Sequence, residues 1–242
     1  EAYKAYKAGR AKADDALISQ MKRSREIFSA FNIPIYDKEG FEADDILGTI
    51  VEQLKIENGK LKIPECDVVI ASGDMDTLQL VDDKHVQVFT LKKGINDTVL
   101  YDEEAVKQRY GFGPEFLPDF KGLKGDPSDN IKGVKGIGDK TATELIKNFG
   151  TIENIYRDLE TRHSKLKTSF TPRVVELLEK GKEDAEFSKI LGTIRRDAPI
   201  TFSFPEKTWG EGVEMSKAGA LFQELEFRQL AFVIDIFPVP LD

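Results

Sequence analysis

The stretch Asp67-Val68-Val69-Ile70-Ala71-Ser72-Gly73-Asp74-Met75-Asp76 decides the fold class. Its first six residues form a short apolar run with polar neighbours, which is typical of a buried strand in a parallel sheet. Asp74 and Asp76 follow where that strand ends. In open α/β sheets, ligand sites collect at the carboxyl ends of the strands. The sequence therefore predicts an α/β layer with a polar site at this position.

Predicted elements on both sides of this strand extend the pattern. Apolar residues at helical spacing predict an amphipathic helix over about residues 15–31 and another that begins near Glu42. Two further strands are expected at 85–91 and 98–101, joined by a turn that contains Gly94. Strand signals then nearly vanish, and helical patterns occupy 102–109, 139–148, 151–159, 171–181, 183–191 and 218–234. A domain boundary is therefore expected near residue 100.

Composition narrows the class of protein. The chain of 242 residues carries a single cysteine, Cys66, so it has no internal disulfide framework and fits a reducing, cytoplasmic setting. No run approaches the length of a membrane span, and the first residues do not resemble a signal peptide. The net charge of −8 does not suggest a polyanion partner. It does not exclude one either, because clustered acids count differently once they bind metal.

Seven carboxylates fall in three tight clusters, each at the end of a predicted element. They are Glu42, Asp44 and Asp45; Asp74 and Asp76; Asp126 and Asp129. Singly, each cluster could serve a helix dipole or a turn. Together they favour hard divalent cations, since Mg²⁺ prefers oxygen ligands and commonly bridges carboxylates to phosphates. No serine, cysteine or histidine constellation offers a nucleophile, so a water activated by metal is the expected one.

A glycine-rich turn follows the third acid cluster. Residues 133–141, Gly133-Val134-Lys135-Gly136-Ile137-Gly138-Asp139-Lys140-Thr141, place closely spaced backbone amides ahead of a predicted helix. Such amides bind phosphate through their N–H groups and the helix dipole. A plain connection between two helices is the alternative. The spacing is not that of a Walker loop.

Several motifs resemble the 5′-nuclease domain of bacterial DNA polymerase I, in the flap endonuclease superfamily. The resemblance covers almost the whole chain, in order, and is carried by residues 40–45, 72–80, 124–142 and 221–228. It implies an α/β fold with a PIN-like parallel-sheet core over 1–100. An all-α helix-three-turn-helix domain, of the helix-hairpin-helix kind, is then expected over 101–200. Residues 201–242 would form a C-terminal helix and a linker.

The resemblance also implies roles for the acids. Glu42, Asp44, Asp45 and Asp74 would belong to an inner metal site, and Asp76, Asp126 and Asp129 to an outer one. Two Mg²⁺ ions, or Mn²⁺ in their place, are the implied cofactors. The family has two further aspartates ahead of the point where this sequence begins. We therefore expect a fragment of a longer gene product, and doubtful catalysis by the fragment alone.

The remaining implied site residues contact DNA. Tyr6, Lys7 and Arg10 match the segment of the family that handles the 5′ strand, with Lys7 and Arg10 in catalytic roles; a solvated amphipathic helix is the alternative. The turn would grip the duplex backbone and hold a K⁺ ion. Its implied DNA contacts are Lys132, Gly133, Lys135, Gly136, Gly138, Lys140 and Thr141.

The function expected from this resemblance is structure-specific 5′-3′ exonuclease and flap endonuclease activity. The partners would be 5′-flap or branched DNA and RNA-primer/DNA duplexes, in primer removal, replication and repair. We expect a monomer in the bacterial cytoplasm, near the nucleoid, with proofreading and polymerase domains following in the same chain. Two alternatives stay open: a catalytically inactive, structure-specific DNA-binding module, and a stand-alone flap nuclease.

Overall fold

The computed structural model describes residues 6–9, 12–54, 67–92, 96–213 and 215–230. They belong to two compact units, one formed by Glu1–Arg10 with Phe41–Ala198 and the other by Ala11–Gly40 with Pro199–Asp242. In the described part of the chain, no helix combines the length and apolarity that crossing a membrane demands.

The first unit contains a three-stranded sheet in the order β1 (Val68–Ala71), β2 (Val86–Leu91), β3 (Thr98–Tyr101). β1 and β2 are parallel with Val68 opposite Val86, whereas β2 and β3 are antiparallel with Val88 opposite Tyr101. The sheet is therefore mixed rather than purely parallel, because the short connection after β2 permits only an antiparallel return.

One face of the sheet forms part of the hydrophobic core. Ile70, Val86, Val88 and Tyr101 point into it and are at most 4% exposed. The opposite face is apolar but exposed, as the alternation of a strand requires for its neighbouring side chains. It carries Val69, Phe89, Leu91 and Leu100.

The rest of the first unit is largely helical. Predicted helices are confirmed with bounds that differ by one or two residues, as is usual for helix ends. The α-helices of the first unit are α2 (Ala43–Leu54), α3 (Glu103–Tyr110), α4 (Leu117–Lys124), α5 (Asp139–Phe149), α6 (Ile152–Glu160), α7 (Lys165–Ser169), α8 (Pro172–Lys180) and α9 (Lys182–Gly192). Short 3₁₀ helices occupy Met75–Leu80 and Pro114–Phe116. Sequence analysis predicted neither these nor α4 and α7.

α4 packs closely against α6 and α9. A Cβ at Gly122 would meet Ile152 Cδ1 at 2.6 Å and the Ala185 carbonyl oxygen at 3.0 Å, so only glycine permits this approach. A Cβ at Gly192 would likewise lie 2.8 Å from the Cδ atom of Lys121. The side chain of Lys121 therefore runs along the end of α9.

The loop after α4 folds back on itself. The backbone groups of Asp126 and Ile131 exchange two hydrogen bonds of 2.8 Å, and the Val134 N–H donates to the Leu123 oxygen. Gly133 has φ +60°, and a Cβ on it would lie 2.2 Å from the Gly125 nitrogen. The two glycine backbones are thus in direct contact, which joins the third acid cluster to the glycine-rich turn.

The second unit contains α1 (Asp15–Ala30), α10 (Trp209–Gly212) and α11 (Met215–Glu224). α1 confirms the predicted helix, and Asp14 caps it by accepting from the Leu17 N–H. Its predicted apolar stripe is not buried, however: Leu17 is 48% exposed and Met21 60%. α1 instead contacts the end of α11 through the Arg23–Glu224 ion pair at 2.6 Å. Phe31, which directly follows α1, packs its ring against the ring of Phe222.

The predicted helix over 218–234 is interrupted, because residues 228–230 are helical again after α11 has ended. α11 ends at Glu224 because Glu226 adopts φ +57° and the Phe227 N–H donates to the Phe222 oxygen. This left-handed residue and six-to-one hydrogen bond are the usual way to terminate a helix. The part of the prediction beyond residue 230, like the turn at Gly94, lies outside the described residues.

Candidate metal centre

Three short segments deliver the acids. Glu42 precedes α2, whose first turn contains Asp44. Asp74 caps the 3₁₀ helix that follows β1 by accepting from the Asp76 N–H at 3.0 Å. Asp126 lies in the loop after α4, as does Asp129. The placement of Asp74 and Asp76 follows from the sheet, since ligand sites form at carboxyl ends of strands.

Asp76, Asp126 and Asp129 come together as a trio. One carboxylate oxygen from each lies within 4.8 Å of the others, and Asp129 is buried. Oxygens on opposite sides of an octahedral Mg²⁺ ion are about 4.2 Å apart, so a small closure of the trio would suit such an ion. The donors are all carboxylate oxygens, which is the set that hard cations prefer.

Asp44 lies beside the other acids. Burial, and then the charges of Asp74, Asp76 and Glu42, raise the pKa of Asp44 to about 6. Burial also raises the pKa of Asp76, although Lys121 opposes that rise. Bringing like charges together in this way costs free energy unless a cation neutralises them. The arrangement therefore fits a divalent metal better than a structural role.

Asp45 also makes backbone contacts. Its two carboxylate oxygens accept from the backbone N–H groups of Glu42 at 3.0 Å and Arg195 at 2.9 Å. These bonds tie the start of α2 to the segment after α9. Asp45 therefore anchors the backbone in this structure, and its role as a metal ligand stays a prediction.

Lys121 is the residue that sequence analysis missed. Its side chain is 7% exposed, and Nζ lies 3.0 Å from Asp126 Oδ2 and 3.8 Å from Asp129 Oδ2 while also pairing with Asp76. Burial alone would lower the pKa of the Lys121 ammonium, but the surrounding acids outweigh it and raise the pKa. A lysine between Phe120 and Gly122, five positions before Asp126, was the available signal.

The pKa of Asp126 is shifted in the direction opposite to the pKa values of Asp44 and Asp76. Burial alone would raise its pKa, but hydrogen bonds from Ser128 and the Lys121 ammonium lower the pKa of Asp126 to about 2. Its Oδ1 atom accepts from the Ser128 N–H at 2.9 Å and from Ser128 Oγ at 2.6 Å. This carboxylate is held in a fixed, ionised orientation.

The segment 6–9 contacts both groups of acids. The ammonium of Lys7 donates to the Glu42 carboxylate. The backbone N–H of Lys7 donates to the backbone carbonyl oxygen of Asp129 at 3.0 Å. Lys7 has φ +56°, which is uncommon for a lysine. Burial is the main cause that raises the pKa of Tyr6, next to it. Arg10 lies outside the described residues.

The glycine turn divides into a packed and an exposed part. The Gly133 N–H donates to Ser188 Oγ at 3.0 Å and is buried, so Gly133 serves packing and its amide is not offered to phosphate. Gly138 is the N-cap of α5 without a side-chain cap. The first amides of α5 therefore have no intrahelical acceptor. Residues exposed around this helix start are Lys132, Lys135, Gly136, Gly138 and Lys140, with Thr141 half-buried.

Two family models match consecutive parts of the chain. The N-terminal resolvase-like domain of 5′-3′ exonucleases matches residues 1–111. The C-terminal SAM fold of 5′-3′ exonucleases matches residues 112–213. These matches confirm the predicted fold class, a PIN-like α/β core followed by a helical domain.

Curated relatives include DNA polymerase I of Bacillus caldotenax, 42% identical over 229 residues, with 94% of this chain and 24% of that protein covered. DNA polymerase I of Bacillus subtilis strain 168 is 39% identical over 228 residues, again covering 94% and 24%. The chain thus spans about a quarter of the length of the curated relatives it matches.

Solved structures share the fold. The flap endonuclease D15 of bacteriophage T5, in a complex with DNA and metal ions, matches with a TM-score of 0.58 and 24% identity, over 76% of this chain and 62% of its own. The catalytic core of Rad2 in complex with DNA substrate matches with a TM-score of 0.54 and 16% identity, over 96% and 71%. Since the two family models together match residues 1–213 in consecutive order, the chain belongs to the 5′-3′ exonuclease family.

Proposed function

We propose that this chain is the nuclease part of a DNA polymerase I-like protein and cuts DNA near the junction of a 5′ single strand with a duplex. One observation carries the proposal. Acids from three distant segments, the start of α2, the end of β1 and the loop after α4, meet around Asp76, beside a glycine turn that opens α5. Metal-dependent hydrolysis of a phosphodiester combines a cation site with a neighbouring site that holds the phosphate.

The acids would hold two divalent cations, which we propose to be Mg²⁺, with Mn²⁺ as a substitute. Glu42, Asp44, Asp45 and Asp74 would form the inner group, and Asp76, Asp126 and Asp129 the outer group. Such a pair, when bound, supplies an activated water and stabilises the attacking and leaving oxygens of an in-line displacement. The fixed orientation of Asp126 supports this assignment, because hydrogen bonds from Ser128 hold its carboxylate ionised within the trio.

The start of α5 would hold the duplex. Amides of its first turn, with the exposed Lys135 and Lys140, can bind phosphate oxygens but make no contact that depends on base identity. Binding should therefore be independent of sequence and sensitive to salt. A K⁺ ion at this turn remains a prediction.

Lys7 would act on the phosphate that reaches the acids. Its ammonium lies at Glu42, so a phosphodiester bound beside Glu42 comes within reach of a positive charge. Preorganised positive charge stabilises the charge that develops on transferring phosphoryl oxygens. Arg10, three residues further on, is proposed for the same role.

Primer removal during replication and repair is the proposed biological task. The similarity to bacterial DNA polymerase I supports proofreading and polymerase domains in the same protein. A monomeric state and a location in the bacterial cytoplasm at the nucleoid remain predictions.

The test uses the full-length parent protein and a 5′-flap duplex with Mg²⁺. Asp44→Asn and Asp76→Asn should each lower the cleavage rate by about a thousandfold, in the range lost when a group that stabilises the transition state is removed. Asp184→Asn, an exposed acid in the first turn of α9, is the matched control and should leave the rate unchanged. Cleavage that persists in both site variants would contradict the proposal. Metal-independent binding of flap DNA without cleavage by the parent would favour the inactive DNA-binding module.

A further inference from the structure

Lys121 occupies the position that a cation would take among the outer acids. Its Nζ atom contacts all three members of the trio, at 3.0 Å from Asp126 and 3.8 Å from Asp129 with Asp76 paired as well. One ammonium thus faces three carboxylates, in a pocket where its side chain is 7% exposed. The group is neither a solvated surface lysine nor a simple ion pair.

The path of the side chain limits where this ammonium can go. The stem of Lys121 lies on Gly192, where a Cβ would come within 2.8 Å of Cδ and 3.1 Å of Cγ. α9 therefore directs the stem toward the acids. Rotation is left to the last bonds of the side chain, and such rotation keeps Nζ near the trio.

A divalent cation on the same oxygens would feel this charge. With a metal–oxygen distance of about 2.1 Å, the ion would lie at most about 5 Å from Nζ. Even at the dielectric constant of water, repulsion between charges of +1 and +2 at that distance lowers cation affinity by roughly tenfold. A DNA phosphate contributes a negative charge and oxygen ligands, which offset the repulsion.

We propose that Lys121 competes with the outer cation for Asp76, Asp126 and Asp129, and keeps that site at low affinity until DNA binds. The proposal rests on the proposed function in taking these acids as ligands. Lys121 is in this view a positioning residue that couples loading of the outer cation to the arrival of substrate. The inner group has no comparable buried lysine among the described residues, because Lys7 at Glu42 has a side chain that is 22% exposed.

The experiment counts Mn²⁺ ions bound to the full-length parent by electron paramagnetic resonance, with and without flap DNA. Lys121→Met removes the charge but keeps the stem, Lys121→Gln keeps a hydrogen-bond donor, and Lys121→Arg keeps the charge. Lys107→Met is the matched control, since Lys107 is exposed on α3 and pairs only with Glu103 among the described salt bridges. Circular dichroism verifies that each variant is folded.

Without DNA, Lys121→Met and Lys121→Gln should bind the weaker Mn²⁺ ion at least tenfold more tightly than the parent does, whereas Lys121→Arg and Lys107→Met should not. Flap DNA should tighten that ion in the parent and do so much less in the neutral variants. Unchanged or weaker binding in the folded neutral variants overturns the inference. If Asp126→Asn still loses one ion and cleavage, the proposed function stands in that case, so the two failures are distinguishable.

Discussion

Two acid–lysine clusters lie only two residues apart on α4, and they are built in opposite ways. Asp119 is 2% exposed, accepts from the Ile152 N–H at 2.7 Å and pairs with Lys189 at 2.7 Å. Asp119 thus accepts from the first N–H of α6 and joins α6 to α9. Lys121 instead faces three acids, Asp76, Asp126 and Asp129. The first cluster is satisfied by the protein itself, whereas the second keeps an excess of negative charge.

The difference separates acids that hold the fold from acids kept for a ligand. A buried carboxylate with a lysine and a backbone donor stabilises its surroundings once it has formed. Crowded carboxylates with one lysine among three carry repulsion into the folded state. Four experiments can break or sharpen this contrast.

The largest effect is expected for Asp119→Ala. The variant leaves Lys189 with only Glu153 as an acid partner and the buried Ile152 N–H without its acceptor, which together should lower the free energy of unfolding by about 3 kcal/mol. Urea denaturation of the metal-free protein measures it. A loss below about 1 kcal/mol would mean that Asp119 is not the structural acid we describe.

Mg²⁺ should stabilise the second cluster alone. At a hundred times its dissociation constant, the ion should raise the free energy of unfolding of the parent by about 2.7 kcal/mol. Thermal unfolding with and without Mg²⁺ should show the full gain in Asp119→Ala, whereas Asp76→Asn should lose the part of the gain that comes from the outer ion. An equal gain in both variants would place the bound ion away from the trio.

Asp44→Asn should stabilise the metal-free protein. The pKa of Asp44 is about 6 in the folded protein against an ordinary 3.8, so the folded state binds the proton more tightly. Stability is therefore lost as pH rises from about 4 to about 6 and does not return above it. With allowance for solvent screening, Asp44→Asn should gain on the order of 1 kcal/mol at pH 7. The free energy of unfolding, measured at several pH values from 4 to 7, should depend less on pH in Asp44→Asn than in the parent. Asp184→Asn should behave as the parent.

The smallest effect concerns Ser128, which holds Asp126. Because the folded-state pKa of Asp126 is about 2, below the ordinary 3.8, its contribution to stability is present above pH 4 and is lost as pH falls toward 2. Ser128→Ala removes the Oγ hydrogen bond but keeps the N–H, and should raise this pKa by about half a unit. Carboxyl ¹³C titration measures the shift. A pKa unchanged within error would assign the depression to Lys121 and the Ser128 N–H.

Much of the candidate site was predictable because its parts follow local rules. The sequence patterns that identify these acids are local. The acids follow a buried strand, lie in the first turn of a helix or precede a glycine turn. The strands and most helices were predicted for the same reason. α4 was missed because Pro118 and Gly122 lower helix propensity in an eight-residue segment.

What sequence could not provide is the partner of each group across long chain separations. One carboxylate oxygen of Asp45 accepts from the Arg195 N–H, 150 positions away. The Gly133 N–H donates to Ser188 Oγ, 55 positions away. Lys121 would normally be assigned to the surface by residue type. The exposed apolar face of α1 is likewise a fact of packing that periodicity alone did not reveal.

The direct contact between the Gly125 and Gly133 backbones fixes a length. No side chain lies between the two segments, so rotamer changes cannot alter the spacing from the acids at 126 and 129 to the first turn of α5. Under the proposed function, a duplex held at α5 presents its phosphates to the acids at a set number of nucleotides from the point of attachment. The position of the cut would then be measured by the main chain, and a Gly133→Ala substitution would change where the strand is cut as well as how fast.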